Sequence, residues 1–239
     1  IIVNLYSHLL GSPAMDQNGN ESVLTPRQER SQRTQEKLLE ALESLLQERF
    51  FEQITIQDLA DEAGVAVGTV YRRFRNKEAL LPVLYRRLDE RLDAWAASIW
   101  RGHGAPADEA PDGGLRAALG RLVSAHVRFY GANAPMLRTL YLQARLDGEL
   151  IEPERARRRE RLYGSILAPV WDCFERSGRP APSPSQTRCF ILLLLSPLTE
   201  RCLFPENSPA STLGMSDRRF VAELSDALYR YLAADPKAD

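Results

Sequence analysis

Apolar residues recur every three to four positions along most of the chain, and the alternating β-branched runs that mark strands are missing. The pattern predicts an all-α protein. Leu38, Leu42, Leu45, Leu46 and Phe50 give a first helix ending near Arg49, with Thr25 as N-cap and Pro26 at the first helical position, where its missing N–H is harmless. In the stretch TIQDLADEAG, Thr55 and Asp58 have the capping-box spacing, and Gly64 stops the helix within three turns. A second short helix is predicted from Val67 to Phe74, with Val70 and Phe74 facing Leu59 and Ala63 of its predecessor. Two short helices, a glycine turn and a supporting first helix make a helix-turn-helix arrangement.

Asn76 caps the next helix, predicted over 77–101, whose stripe is Leu81, Leu84, Leu88, Leu92, Trp95 and Ile99; Pro82 must sit in its first turns. The Gly-, Pro- and Ala-rich RGHGAPADEAPDGG reads as a linker. Beyond it Leu115, Leu119, Leu122, His126 and Phe129 share one helix face, and further helices are expected at about 134–147, 151–177, 185–204 and 217–233. The organisation expected is a disordered or non-native leader and N-terminal arm over 1–24, a helix-turn-helix domain over 25–76, a bridging helix over 77–101 and a larger C-terminal helical ligand-binding and dimerisation domain over 102–239. Residues 1–14 lack the basic leading region of a secretory signal and are set apart from the fold, with Met15 a candidate native start.

Composition narrows the class. Hydrophobic residues at 44% and charged residues at 26% are those of an ordinary globular protein, against disordered or disulfide-stapled alternatives. Cys173, Cys189 and Cys202 are odd in number and widely spaced, so they form neither a disulfide framework nor a zinc site, and a reducing cytoplasm fits. The apolar run from Phe190 to Leu198 falls well short of the roughly 20 residues of a membrane span. His8, His103 and His126 lack metal-ligand spacing, and neither a phosphate-cradling glycine loop nor a nucleophile motif is present. No enzyme, cofactor or metal site is expected.

A net charge of -1 offers no global argument for a nucleic-acid partner, so any such case must be local. The stretch GVAVGTVYRRFRNK supplies one, with Arg72, Arg73, Arg75 and Lys77 and no acidic residue. Once Val70 and Phe74 are buried, the second short helix presents Gly68, Thr69, Tyr71, Arg72 and Arg73. Gly68 permits close approach, Thr69 suits a base edge or a thymine methyl, and Tyr71, Arg72 and Arg73 have the reach for phosphates. Lys77 in the first turn of a helix opposes the macrodipole, so it marks either an anion site or a solvated cation compensated by Glu78.

The block TIQDLADEAGVAVGTVYRRFRNKEALL resembles the signature of the tetracycline-repressor-like (TetR) family of bacterial transcription regulators, over roughly residues 30 to 82. The resemblance implies an α-helical homodimer whose three-helix N-terminal domain binds double-stranded operator DNA and whose larger C-terminal domain binds a small molecule and dimerises. By motif position, Gln57, Val67, Gly68 and Thr69 lie near bases, while Tyr71, Arg73 and Lys77 hold phosphates with Arg72 close by. The implied function is a ligand-responsive regulator, most often a repressor. Three positions depart from the pattern: Ala66 where Ser is frequent, Ile54 where Thr is frequent, and Val67 where a polar residue is common. The other class is a helical protein-interaction module without sequence-specific DNA binding, in which the arginines are merely solvated.

The C-terminal half is less specific. Trp95, His126, Phe129, Tyr130, Tyr141, Tyr163 and Trp171 are candidates for a ligand cavity, against the alternative that they are core. Phe190 and Leu194 on an all-round apolar helix, with Leu224 and Leu228 on the last stripe, are candidates for a four-helix dimer interface, against the alternative that they finish the monomer core. The run ERARRRERLYG, with interleaved Glu, reads as a solvated face.

Overall fold

The computed structural model describes residues 26–101, 114–146, 153–205 and 214–234. The readings of the 1–24 leader, of the Thr25 cap, of His8 and His103, and of the linker from Gly102 to Gly113 lie outside them. Among the described residues every regular element is helical. They are α1 (Pro26–Glu48), α2 (Ile56–Glu62), α3 (Val67–Tyr71), α4 (Leu81–Ile99), α5 (Leu115–Ala132), α6 (Ala134–Leu146), α7 (Pro153–Arg176), α8 (Pro184–Leu198) and α9 (Asp217–Ala233). Single 3-10 turns at Phe51–Gln53 and Glu78–Leu80 precede α2 and α4. No described helix is long and apolar enough to cross a membrane.

The described residues divide into two compact units, one holding 26–89 with 135–146, the other 90–101, 114–134, 153–205 and 214–234. In the first, α1 packs on α2 and α2 on α3. Leu38, Leu42, Leu46, Ile54, Leu59 and Val70 are essentially inaccessible at its centre. Phe51 joins this core, while Phe50 stays partly exposed with the Arg138 guanidinium 4.9 Å from its ring centre.

α6 also belongs to this unit, which sequence order did not suggest. The Tyr85 hydroxyl donates to Leu140 O at 2.8 Å, and Arg138 donates to Leu46 O at 3.3 Å, satisfying a carbonyl in the last turn of α1. Arg87 pairs with Glu36 and Glu43 of α1; burial opposes its charge, but the Glu36 hydrogen bond and the surrounding carboxylates outweigh that and raise its pKa.

In the second unit α5 is central, packing on α7, α8 and α9. Leu119, Leu122, Val170, Phe190, Leu194 and Leu198 are completely buried there. The helix expected over 185–204 is α8 followed by a π-helical turn at Thr199–Leu203. Pro197 lies just before that turn. It removes one backbone donor and crowds the preceding turn, a common cause of such widening. The three cysteines are unbridged; Cys173 is buried and accepts a hydrogen bond from Arg176 at 3.0 Å.

Candidate nucleic-acid interface and a buried aromatic site

The geometry around α3 is set by short-range backbone chemistry. At the start of α2 the Thr55 hydroxyl accepts from the Asp58 N–H at 3.0 Å and the Asp58 carboxylate accepts from the Thr55 N–H at 2.8 Å, completing the capping box. The Thr55 hydroxyl also donates to the Asp58 carboxylate at 2.6 Å; that bond first, and the Thr55 N–H second, hold the Asp58 carboxyl below its usual pKa, with Arg49 at 3.3 Å adding to the effect.

At the end of α2, Gly64 takes φ +64°, its N–H donates to Asp61 O at 3.1 Å, and the Val65 N–H donates to Ala60 O at 2.9 Å. This is the Schellman closure, and it needs a residue at ease in the left-handed region. Ala66 caps α3 in an extended conformation with no side-chain bond, as a residue without a hydroxyl must.

α3 ends at Tyr71, three residues earlier than its periodicity suggests. The N–H groups of Arg73 and Phe74 both converge on Val70 O at 2.9 Å, which closes the helix in a tight turn. Phe74 nonetheless points inward at 5% exposure, beside Val70 at 0%, so the anchoring pair is as the spacing predicts.

That anchoring leaves an outer surface. Tyr71 is 56% exposed. Gly68, Arg72 and Arg75 are also exposed, and Val67 and Thr69 are half-buried. A Cβ built on Gly68 meets nothing within 4 Å. The Thr69 hydroxyl accepts from Arg72 at 3.0 Å, and Gln57 donates to Asp61 at 2.8 Å. Both are exposed local bonds that an incoming polar partner can replace at little cost. Arg75, outside the set assigned from sequence, extends the basic edge; the cluster of like charges was the signal for it.

Two assigned cations are differently employed. Arg73 donates to Ser31 Oγ at 2.8 Å and Gln35 Oε1 at 3.3 Å, tying the end of α3 to α1. Lys77 donates to Phe51 O at 2.7 Å and Glu52 O at 3.1 Å, and its ammonium lies 4.7 Å from the Phe51 ring centre. Lys77 is thus neither of the things its position suggested, an open anion site or a solvated cation: it braces the 3-10 turn before α2. Asn76 caps as expected, its Oδ1 accepting the Ala79 N–H at 3.1 Å.

In the other unit, four of the seven candidate pocket residues form one cluster. His126 is completely buried on α5, and its Nδ1 sits 2.8 Å from Leu122 O, so Nδ1 carries the proton and donates. The Trp95 ring meets it edge-on with centroids 4.8 Å apart, Phe129 lies 4.7 Å from Trp95, and Tyr163 stacks near-parallel to His126 at 6.4 Å. His126 Nε2 is buried with no hydrogen-bond partner.

The remaining three candidates stand differently. Tyr130 is half-buried against the same core. Trp171 packs on Phe174 and Phe190, with centroids 6.5 and 5.3 Å away. Tyr141 is on α6 in the first unit, where Arg145 covers its ring at 4.4 Å and donates to its hydroxyl.

Desolvation pushes the His126 pKa from 6.5 down to about 4, opposed by the bond to Leu122. The folded chain therefore resists protonation more than the unfolded chain does. Stability is full above pH 6.5 and falls as the pH drops towards 4. Between pH 7 and 5 the loss should be about 2 kcal/mol. Urea unfolding at fixed protein concentration checks this, and His126→Phe should remove most of that slope.

The four residues expected at a dimer interface are instead core of the single chain. Phe190 and Leu194 are at 0% exposure, Leu228 at 1% and Leu224 at 9%. Apolar periodicity reports burial and not the identity of what buries, so the stripe could not separate the two. The apolar surface that α8 does expose is Leu192 at 38% and Leu193 at 41%.

Residues 38–84 match the family described as bacterial regulatory proteins, tetR family. Among solved structures, a putative TetR-family transcriptional regulator from Mesorhizobium loti shares the fold at TM-score 0.54 and 19% identity, over 85% of this chain and 97% of that one. A TetR transcription regulator from Haloarcula marismortui does so at TM-score 0.53 and 20% identity, over 84% and 97%. GusR of Salmonella enterica does so at 0.51 and 17%, over 84% and 96%. No curated protein is similar enough to count as a match.

Proposed function

We infer that this chain, whose residues 38–84 match the tetR family of bacterial regulatory proteins, is a DNA-binding transcriptional regulator of that family that acts in the cytoplasm and releases its operator on binding a small molecule. The observation that carries the reading is the surface of α3 and the turn after it: an open glycine and an exposed tyrosine on a helix locked to its domain by Val70 and Phe74, with exposed arginines just past its end. An interaction module has no need for that combination, whereas a helix entering a major groove does.

In this reading Gly68 lets the backbone approach the duplex, Thr69 meets a base edge with Val67 and Gln57 nearby, and Tyr71, Arg72 and Arg75 reach phosphates. Val67 offers only methyl groups, so part of the readout rests on apolar contact or DNA shape. Arg73 and Lys77 act first as braces that fix the angle of α3, whatever further phosphate contact their spare N–H groups make.

The working form is a homodimer that sets two copies of α3 about 34 Å apart on a partly palindromic site. Leu192 and Leu193 carry its apolar contact. The effector site is the aromatic cluster around His126, and α4, whose residues are shared between the two compact units, transmits occupancy to α3. A coupling of about 1 to 3 kcal/mol suffices to change DNA affinity by one to two orders of magnitude.

Selection of bound duplexes from a random pool tests the assignment. The wild type should enrich a partly palindromic site, and Thr69→Ala should shift the enriched bases. No enrichment, or an identical motif from both proteins, counts against it.

A further inference from the structure

The His126 imidazole has one nitrogen satisfied by Leu122 O and the other, Nε2, left without a partner at complete burial. Buried polar atoms are nearly always hydrogen-bonded, and an orphan is costly enough to need a reason. With the proton held on Nδ1 by a 2.8 Å bond to Leu122 O, Nε2 is a bare acceptor. No tautomer change repairs this, because moving the proton to Nε2 would break the Leu122 bond.

The surroundings are flat and apolar. Trp95 presents its ring edge-on, Tyr163 lies near-parallel to the imidazole, and Phe129 backs Trp95. Trp95 and Tyr163 are only partly buried, so the rings around the orphan nitrogen extend to the surface of their unit.

We propose that His126 Nε2 is the polar anchor of the effector site, and that the effector class is an uncharged planar aromatic molecule bearing one O–H or N–H donor. The aromatic walls select the flat body, and the single acceptor selects the donor. A neutral imidazole supplies no charge for an anion. A site built around a buried acceptor discriminates strongly against a ligand lacking the donor, because that ligand leaves the acceptor unpaired. The inference rests on the regulator reading for its biological consequence, but binding is measured on the full chain without DNA, so the two can fail separately.

Calorimetry with two matched pairs, indole against 1-methylindole and 2-naphthol against 2-methoxynaphthalene, gives the test. The donor-bearing member of at least one pair should bind at least about tenfold more tightly. His126→Phe should bring it down to its methylated partner while leaving that partner unchanged. Nitrogen-15 histidine spectra of the wild type provide a readout that needs no variant: one histidine should show an unprotonated Nε2 with a protonated Nδ1, and only the donor-bearing probe should shift that Nε2 resonance. Equal affinities within both pairs, absence of saturable binding, or an Nε2 signal indifferent to the donor would overturn the proposal.

Discussion

Leu194→Glu should abolish the folded state, whereas Leu193→Glu, one position along the same helix, should leave it intact. Leu194 is completely buried in the core of its unit, and Leu193 is 41% exposed. Placing a carboxylate at 194 removes about 1.5 to 3 kcal/mol of leucine burial and adds an unpaired charge in an apolar interior. The sum, on the order of 5 kcal/mol or more, is comparable with the whole stability of many domains. At position 193 the carboxylate reaches water. The expected result there is a normal helical spectrum and melting transition, with a shift from dimer to monomer in sedimentation. A Leu194→Glu protein that melts like the wild type, or a Leu193→Glu protein that stays dimeric at low micromolar concentration, would contradict the account of this surface.

The second large effect concerns Gly68. Its backbone is helical and a Cβ there meets nothing within 4 Å, so the fold makes no steric demand for glycine. Gly68→Ala should therefore keep or raise stability, by up to about 1 kcal/mol, since glycine is the poorer helix former. Its effect on DNA should have the opposite sign. If the backbone at 68 closes on the duplex, a methyl group weakens binding and Gly68→Glu, which also adds a negative charge facing phosphates, should reduce affinity by at least about 100-fold. Thermal melts and DNA titrations on the same preparations separate the two effects. A surface unrelated to nucleic acid gives the stability change alone.

The chain order of helices was legible because each depends on local signals. The Thr55 to Asp58 spacing, Gly64, Asn76 and the Val70 and Phe74 pair all act within a few residues of themselves, and each does in the structure what its spacing implies. What was not legible depends on partners far along the chain. Arg73 and Lys77 read as phosphate ligands by sequence, and a cation in sequence carries no record of the Ser31 hydroxyl or the Phe51 and Glu52 carbonyls to which they also donate. α6 gave no sign of joining the first unit, since Arg138 and Leu46 are 92 residues apart.

The aromatic candidates show both outcomes. Trp95, His126, Phe129 and Tyr163 converge because α5 carries two of them one turn apart, while Tyr141 shares their chemistry and belongs to another unit. Residue type suggested the set, and only tertiary placement could divide it. The stripe on α8 and α9 fits both an interface and a core in sequence for a related reason: Phe190, Leu194, Leu224 and Leu228 are as apolar as an interface requires, and the same helices bury them within one chain.

The central claim is that the outer face of α3 binds duplex DNA. Fluorescence anisotropy on the duplex selected by the wild type, at several salt concentrations, tests it most directly for the wild type, Gly68→Glu and Arg72→Ala. The account predicts salt-dependent binding by the wild type, loss of binding by Gly68→Glu with its melting transition kept or raised, and a shallower salt dependence for Arg72→Ala. Affinity and salt slope that are the same in all three folded proteins would contradict it.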